Sequence, residues 1–148
     1  MKYIVTGGAG FIGSNIVKKL ISRGDNVIVI DNLNTGKEEN LKSVIDKITF
    51  LKDSILNMEL LEKQSQNIDG IFHQAALASV QDSFSKPDEY HDVNVNGTEN
   101  ILKLAKKNDF RVVYASSSSV YGNPERIPIK ESDEKNPINP YAETKLKQ

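Results

Sequence analysis

Thr6-Gly7-Gly8-Ala9-Gly10-Phe11-Ile12-Gly13 is the stretch whose reading decides the fold. Residues 3–6 upstream read as a short β-strand. Downstream, Ile12, Ile16 and Leu20, joined by Val17 and Ile21, recur at i+4 and mark one face of a helix. Glycines 7, 10 and 13 therefore fall at a strand–turn–helix junction. Gly7 permits the tight turn, Gly10 lets backbone come close to a pyrophosphate, and Gly13 lets the helix pack near the strand. The helix N-terminus, with Phe11 and Ile12 in its first turn, faces the anion. Gly24 suits the position just past the end of this helix.

Outward from that junction the pattern repeats. Strands are expected to begin near residues 3, 26, 48 and 70, separated by helical patterns. Leu41, Val44 and Ile45 mark one short helix; Leu56, Leu60 and Leu61 mark another reaching about Gln66. This is a βαβ rhythm, which implies parallel strands with right-handed crossovers. Runs such as Val27-Ile28-Val29-Ile30 are apolar at successive positions, as in strands buried on both faces. A longer helix is expected from Pro87 to about Asn108, with a stripe of Tyr90, Asn94, Gly97, Ile101, Leu104 and Ala105. A fifth strand follows at 111–115, then a Pro-containing loop, then a last helix opened by Pro140. The fold class is α/β: a doubly wound, Rossmann-like parallel sheet of order 3-2-1-4-5 with helices on both faces.

Composition agrees with one cofactor-binding domain over residues 1–148. The net charge of −1 gives no reason to expect nucleic acid or an anionic membrane. The chain has no Cys and only two His, His73 and His91, which disfavours thiolate or His-based metal sites. No apolar run approaches ~18 residues, and the N-terminus lacks the apolar region of a secretory signal. The default reading is a soluble, cytoplasmic protein without a metal.

The candidate ligand contacts lie at strand ends. Asp31, ending the second strand beside Asn32, is placed to accept hydrogen bonds from adenosine ribose hydroxyls and to repel a 2′-phosphate, which favours NAD over NADP. Asp53 and Ser54 after the third strand would meet the adenine edge or cap a turn. Ala75 and Ala76 after the fourth are small where a dinucleotide would cross. Asn94 lies on an apolar stripe and needs partners, for which the loop ends of strands four and five are the candidates.

The chemical groups come late. Asn139 can cap the last helix and Pro140 can start it, which puts Tyr141 in the first turn and Lys145 on the same face. Both the helix N-terminus and the lysine favour a phenolate, suiting Tyr141 to act as a base. Tyr141, Ala142 and Leu146 are the expected packing residues of that helix. The run Ser116-Ser117-Ser118-Ser119 lies just past the fifth strand, where open parallel sheets place their ligands.

Taken together, TGGAGFIGS at 6–14, VIVIDNLNTGK at 27–37, IFHQAALASV at 71–80, NVNGT at 94–98, YASSSSVYG at 114–122 and PYAETK at 140–145 resemble the extended short-chain dehydrogenase/reductase family. The nearest look within it is the nucleotide-sugar 4-epimerases. The resemblance implies NAD as cofactor and a UDP-hexose as substrate, epimerised at C4 through a transient 4-keto sugar. It makes Tyr141 the base, Lys145 its support and a contact of the nicotinamide ribose, and Ser117 the catalytic hydrogen-bond donor. Ser79, Val80 and Ser119 would face the sugar. Sister dehydratases place Asp-Glu where Ser118-Ser119 stand, which argues against loss of water. Other activities of the family, a decarboxylase or reductase, and a noncatalytic NAD-binding fragment are the alternatives. Relatives are roughly twice as long, so the resemblance also implies that the substrate domain is missing and that these 148 residues alone are inactive. Partners left open are a second copy or a complementing C-terminal chain.

Overall fold

The computed structural model describes residues 1–148. Five strands form one sheet: β1 (Lys2–Thr6), β2 (Asn26–Ile30), β3 (Ile48–Leu51), β4 (Gly70–His73) and β5 (Arg111–Tyr114). The order is β3-β2-β1-β4-β5, and every neighbouring pair is parallel. Contacts divide the chain into two compact units, Met1–Ala75 with Gly97–Ala115, and Ala76–Asn96 with Ser116–Gln148.

The first unit contains the sheet with α1 (Phe11–Ser22), α2 (Met58–Gln64) and α5 (Gly97–Asn108). Alternate residues of β1 and β2 feed two separate cores. Ile4, Ile28, Ile30 and Ile71 pack with Leu61 of α2 and with Ile101 and Leu104 of α5. Val5, Val27 and Val29 pack with Val17 and Leu20 of α1 and with Leu41 and Val44. Each such fully buried side chain contributes about 1.5–3 kcal/mol of transfer free energy, and this two-sided burial is why the strand runs show no polar alternation. Leu41 ends one 3-10 turn, Glu38–Leu41, and Val44 immediately precedes the next, Ile45–Lys47; these stand in place of the expected short helix. Ile45 and Leu56 point outward. Gly24 takes φ +82°, the left-handed ending anticipated for α1. At the sheet margin Val113 and Tyr114 of β5 are exposed, and Val113 shares a shallow trough with Tyr3, Phe72 and Arg111.

The second unit holds α3 (Val80–Ser85), α4 (Pro87–Tyr90) and α6 (Pro140–Lys147). The helical run begun at Pro87 is not uniform: His91–Asn96 is a π segment. Tyr90, Asn94, Gly97, Ile101 and Leu104 are buried as the stripe requires. A Cβ on Gly97 would meet Ile55 Cδ1 at 2.5 Å, which explains a glycine inside a helix. Asn139 caps α6, accepting from the Ala142 amide at 2.8 Å. The packing of α6 differs from expectation. Ala142, Thr144 and Lys145 are buried, whereas Leu146 is exposed. The helix turns Thr144 inward because a hydrogen-bond partner, Asn94, awaits it there.

Candidate active site

The glycine loop is shaped by backbone contacts. Gly7 has φ +65°, and a Cβ there would meet Ala75 N at 2.6 Å. A Cβ on Gly13 would collide with the Gly7 carbonyl oxygen. Gly10 is different: its Cβ would meet only Gly7 O, at 3.2 Å. The turn and the close packing thus demand Gly7 and Gly13, while Gly10 leaves its outer side open. Helix α1 then starts without a capping side chain and without an acidic residue in its first turn. Its leading amides and partial positive charge are left for an external anion. Phe11 is 83% exposed and Ile12 58%, so neither is committed to a core. These features fit a dinucleotide pyrophosphate.

Asp31 is buried, and both carboxylate oxygens already serve the backbone. Oδ2 accepts from Ala9 N at 2.9 Å and Oδ1 from Leu33 N at 2.8 Å. A carboxylate has about four acceptor positions, so capacity for ribose hydroxyls remains. Asn40 Nδ2 donates to Ala9 O at 2.7 Å and completes this knot; no signal in the sequence marked it. Exposed Asn32 forms its own turn with Asn34 N. Asp53 and Ser54 likewise make local turn contacts: Asp53 Oδ1 accepts from Ser54 N and Oδ2 from Asn57 Nδ2, while Ser54 Oγ accepts from Leu56 N.

A buried relay runs behind the loop. Thr6 Oγ1 lies 2.6 Å from His73 Nδ1, and His73 Nε2 lies 2.9 Å from Thr98 Oγ1. Ala75 N donates to Thr6 Oγ1 at 3.3 Å. The relay ties the ends of β1 and β4 to the start of α5 and holds Ala75 against Gly7. Ala76 follows, half-buried, in the second unit.

In the second unit, Ser117 precedes a 3-10 turn, Ser118–Tyr121, and caps it by accepting from Ser119 N at 3.2 Å. Its hydroxyl also donates to Ser119 Oγ at 3.0 Å. Ser118 is exposed. Helix α6 lies against this turn, against α3 and α4, and against the π segment. Tyr141 is half-buried in its first turn. Lys145 is only 6% exposed, and burial pushes its ammonium down from 10.5 to about 8. The folded pKa is depressed, so the sign follows directly. Below about pH 8 the folded chain carries the full cost of a buried charge; between there and 10.5 the unfolded chain binds more protons, and stability rises with pH. Lys145→Met should therefore raise stability at pH 7 by about 1–3 kcal/mol and flatten that rise. Urea denaturation across the pH range checks this, and a variant less stable at pH 7 refutes it.

Asn94 is fully buried. Its Oδ1 accepts from Leu77 N at 2.8 Å, and its Nδ2 donates to Leu77 O at 3.0 Å and to Thr144 Oγ1 at 3.0 Å. The loop after β4 is thus one partner, as expected, and α6 is another. Tyr90 Oη donates to Ser79 O at 2.7 Å, and burial raises its pKa. Ser79 caps α3 by accepting from Asp82 N, and Val80 opens that helix half-exposed. Helix α3 is absent from the pattern expected along the chain, although Ser79 followed three residues later by Asp82 is a capping signal.

Residues 3–148 match the NAD dependent epimerase/dehydratase family. The UDP-glucose 4-epimerase of Halalkalibacterium halodurans is 42% identical over 99% of this chain and 43% of its own length. A UDP-N-acetylglucosamine 4-epimerase from Methanobrevibacter ruminantium, solved with UDP-N-acetylmuramic acid, superposes with a TM-score of 0.93 at 40% identity, over 98% of this chain and 47% of that one. A dTDP-glucose 4,6-dehydratase from Streptomyces venezuelae, solved with NAD and TYD bound, gives a TM-score of 0.94 at 34% identity, over 99% and 49%. The chain spans somewhat less than half the length of these relatives. With the sheet order, the glycine loop and the match over nearly every residue agreeing, the chain belongs to the NAD dependent epimerase/dehydratase family.

Proposed function

We propose that the protein carrying this chain interconverts UDP-hexoses differing at C4, with NAD as cofactor. The observation that carries the reading is Lys145, a buried lysine one helical turn from Tyr141 at the capped start of α6. A charge kept at such cost belongs to chemistry more readily than to packing. The substrate class comes from the relatives.

The first unit would hold the dinucleotide. The first-turn amides beside Phe11 and Ile12 receive the pyrophosphate, Asp31 and Asn32 the adenosine ribose, and Asp53 and Ser54 the adenine, with Ala75 and Ala76 leaving room. Lys145 serves the nicotinamide end; Asn94, fully buried and expected to contact the cofactor, instead spends its side chain on Leu77 and Thr144 and acts only through them. When bound, NAD supplies a reversible hydride acceptor for C4, which passes through a 4-keto sugar. Tyr141 takes the proton of the C4 hydroxyl and later returns it. Ser117 donates a hydrogen bond to the same oxygen, and Ser79, Val80 and Ser119 face the sugar.

The likeness to the S. venezuelae dehydratase favours a second reading, elimination of water. Ser118 and Ser119 weigh against it, since neither supplies the acid that elimination uses. Incubating the whole protein with UDP-galactose and NAD, followed by proton NMR, separates the readings. Appearance of UDP-glucose supports epimerisation, a 4-keto-6-deoxy product supports dehydration, and neither product refutes both.

Cofactor choice is a separate expectation. Asp31→Ala should weaken NAD at least ~10-fold and narrow the preference over NADP. The ratio of the two affinities is the readout, because loss of the Ala9 and Leu33 contacts weakens both. An unchanged ratio would contradict the role of Asp31.

A further inference from the structure

We propose that Thr144 is a positioning residue whose hydroxyl locks the helix bearing Tyr141 and Lys145 to the loop that leads into Ser79 and Val80. The inference rests on the reading of those residues as catalytic and substrate-facing. It concerns the side chain between the proposed base and its lysine, for which the sequence suggested no role.

Hydrogen-bond directions are fixed along the whole path. Leu77 N can only donate, so the Asn94 atom facing it is Oδ1, and the amide cannot be flipped. That leaves Nδ2 with two protons, one for Leu77 O and one for Thr144 Oγ1. Thr144 must accept there, which frees its own proton for the Tyr141 carbonyl, 2.7 Å away. The chain of donors runs from Asn94 through Thr144 to the backbone of Tyr141. Thr144 is 5% exposed and Asn94 fully buried, so no water competes. A second tie follows one turn on: the carbonyl of Asn94, within the π segment, accepts from Gln148 Nε2 at 2.7 Å. Tyr90, one turn before Asn94, holds Ser79 O. Residues 77 and 79 are thereby pinned by one helical stripe, and Thr144 is the point at which α6 joins it.

A threonine and not merely a small residue is called for. Its β-branch restricts χ1, and within a helix its oxygen bonds back to the carbonyl of residue i−3. The Asn94 donor then finds an acceptor already aimed. Removing the hydroxyl takes the acceptor away from a buried amide proton, which is costly.

Two variants give opposite answers for the two roles a buried Thr can have. Thr144→Val keeps the shape and loses the hydroxyl; Thr144→Ser keeps the hydroxyl and loses the methyl. The readout is amide hydrogen exchange of Leu77 in the 148-residue chain, taken as a ratio to the Val29 amide of the sheet. Thr144→Val should speed Leu77 exchange relative to Val29 at least ~10-fold, and Thr144→Ser should leave it within ~3-fold. A change under ~2-fold in the valine variant overturns the proposal. So does a serine variant as damaged as the valine one, which would assign the residue to packing. Should Thr144→Val fail to fold, the parent chain still decides. Its Leu77 and Lys145 amides should open with the same urea dependence, and distinct dependences overturn the link. None of these outcomes depends on turnover, so failure of the epimerase reading would be seen separately in the product assay.

Discussion

Gly13→Ala is expected to cost at least ~3 kcal/mol of folding stability and to weaken NAD binding by ~100-fold or more. The sign is the test. In an unconstrained helix, Gly→Ala stabilises by about 1 kcal/mol. Here the added Cβ would collide with the Gly7 carbonyl oxygen and sit 2.8 Å from Gly8 Cα and 2.9 Å from Gly7 C. All three are backbone, so α1 must back away from the loop. That is overpacking with no side chain free to yield, at the severe end of such substitutions. Gly10→Ala is the matched contrast, because its Cβ meets only Gly7 O, at 3.2 Å. It should fold nearly normally and still lose cofactor affinity, since it fills the side from which a pyrophosphate approaches. Urea denaturation and NAD titration of the two variants separate the glycine that shapes the loop from the glycine that admits the ligand. Equal stability of Gly13→Ala and the parent would dismantle this account.

The second large effect is on rate. In the whole enzyme, Tyr141→Phe should lower turnover by about 10²–10⁴, the usual loss when a general base is removed. NAD affinity and melting temperature should change little, because the phenol is half-buried at the start of α6 and the cap from Asn139 is untouched. Ser117→Ala should also slow turnover, and more than Ser118→Ala. Ser117 is partly buried and joined to Ser119, whereas Ser118 faces solvent. If the Ser118 variant is the worse of the two, the donor has been assigned one residue out of register. A phenylalanine variant with near-parent turnover would remove Tyr141 from the mechanism.

What was readable in advance follows from how locally each feature is encoded. Strands β1 to β4 begin at 2, 26, 48 and 70, because buried parallel strands need uninterrupted apolar runs and glycines or polar residues punctuate them. The parallel sheet followed from the alternation of strand and helix, and its order from the dinucleotide-type glycine loop after the first strand. The glycine loop was readable because Gly7 and Gly13 answer backbone demands at the spacing that leaves Gly10 open to a ligand. The π segment was not: in HDVNVN the spacing of Tyr90, Asn94 and Gly97 suits an α-helix equally well. Leu146 misled for a related reason. Hydrophobicity alone assigns it inward, but the wall that α6 meets is lined by Asn94, and Thr144 answers it better. Asp31 was seen as a ligand contact and not as the carboxylate that fastens the glycine loop to the turn after β2, because its partners are main-chain amides that leave no trace in the letters.

Val113 is 55% exposed and Tyr114 44%, on a strand whose outer side has no neighbour in the sheet. In solution this makes the 148-residue chain an adhesive object. Unpaired strand edges recruit other strands, and apolar patches recruit each other. Concentrating the protein should therefore produce reversible oligomers before it produces precipitate, and a hydrophobic dye should report a patch even in the fully folded state. Lysine placed at position 113 should disperse those oligomers without touching the glycine loop or α6. That variant would turn a difficult sample into one suited to the exchange and titration experiments on which the other assignments depend.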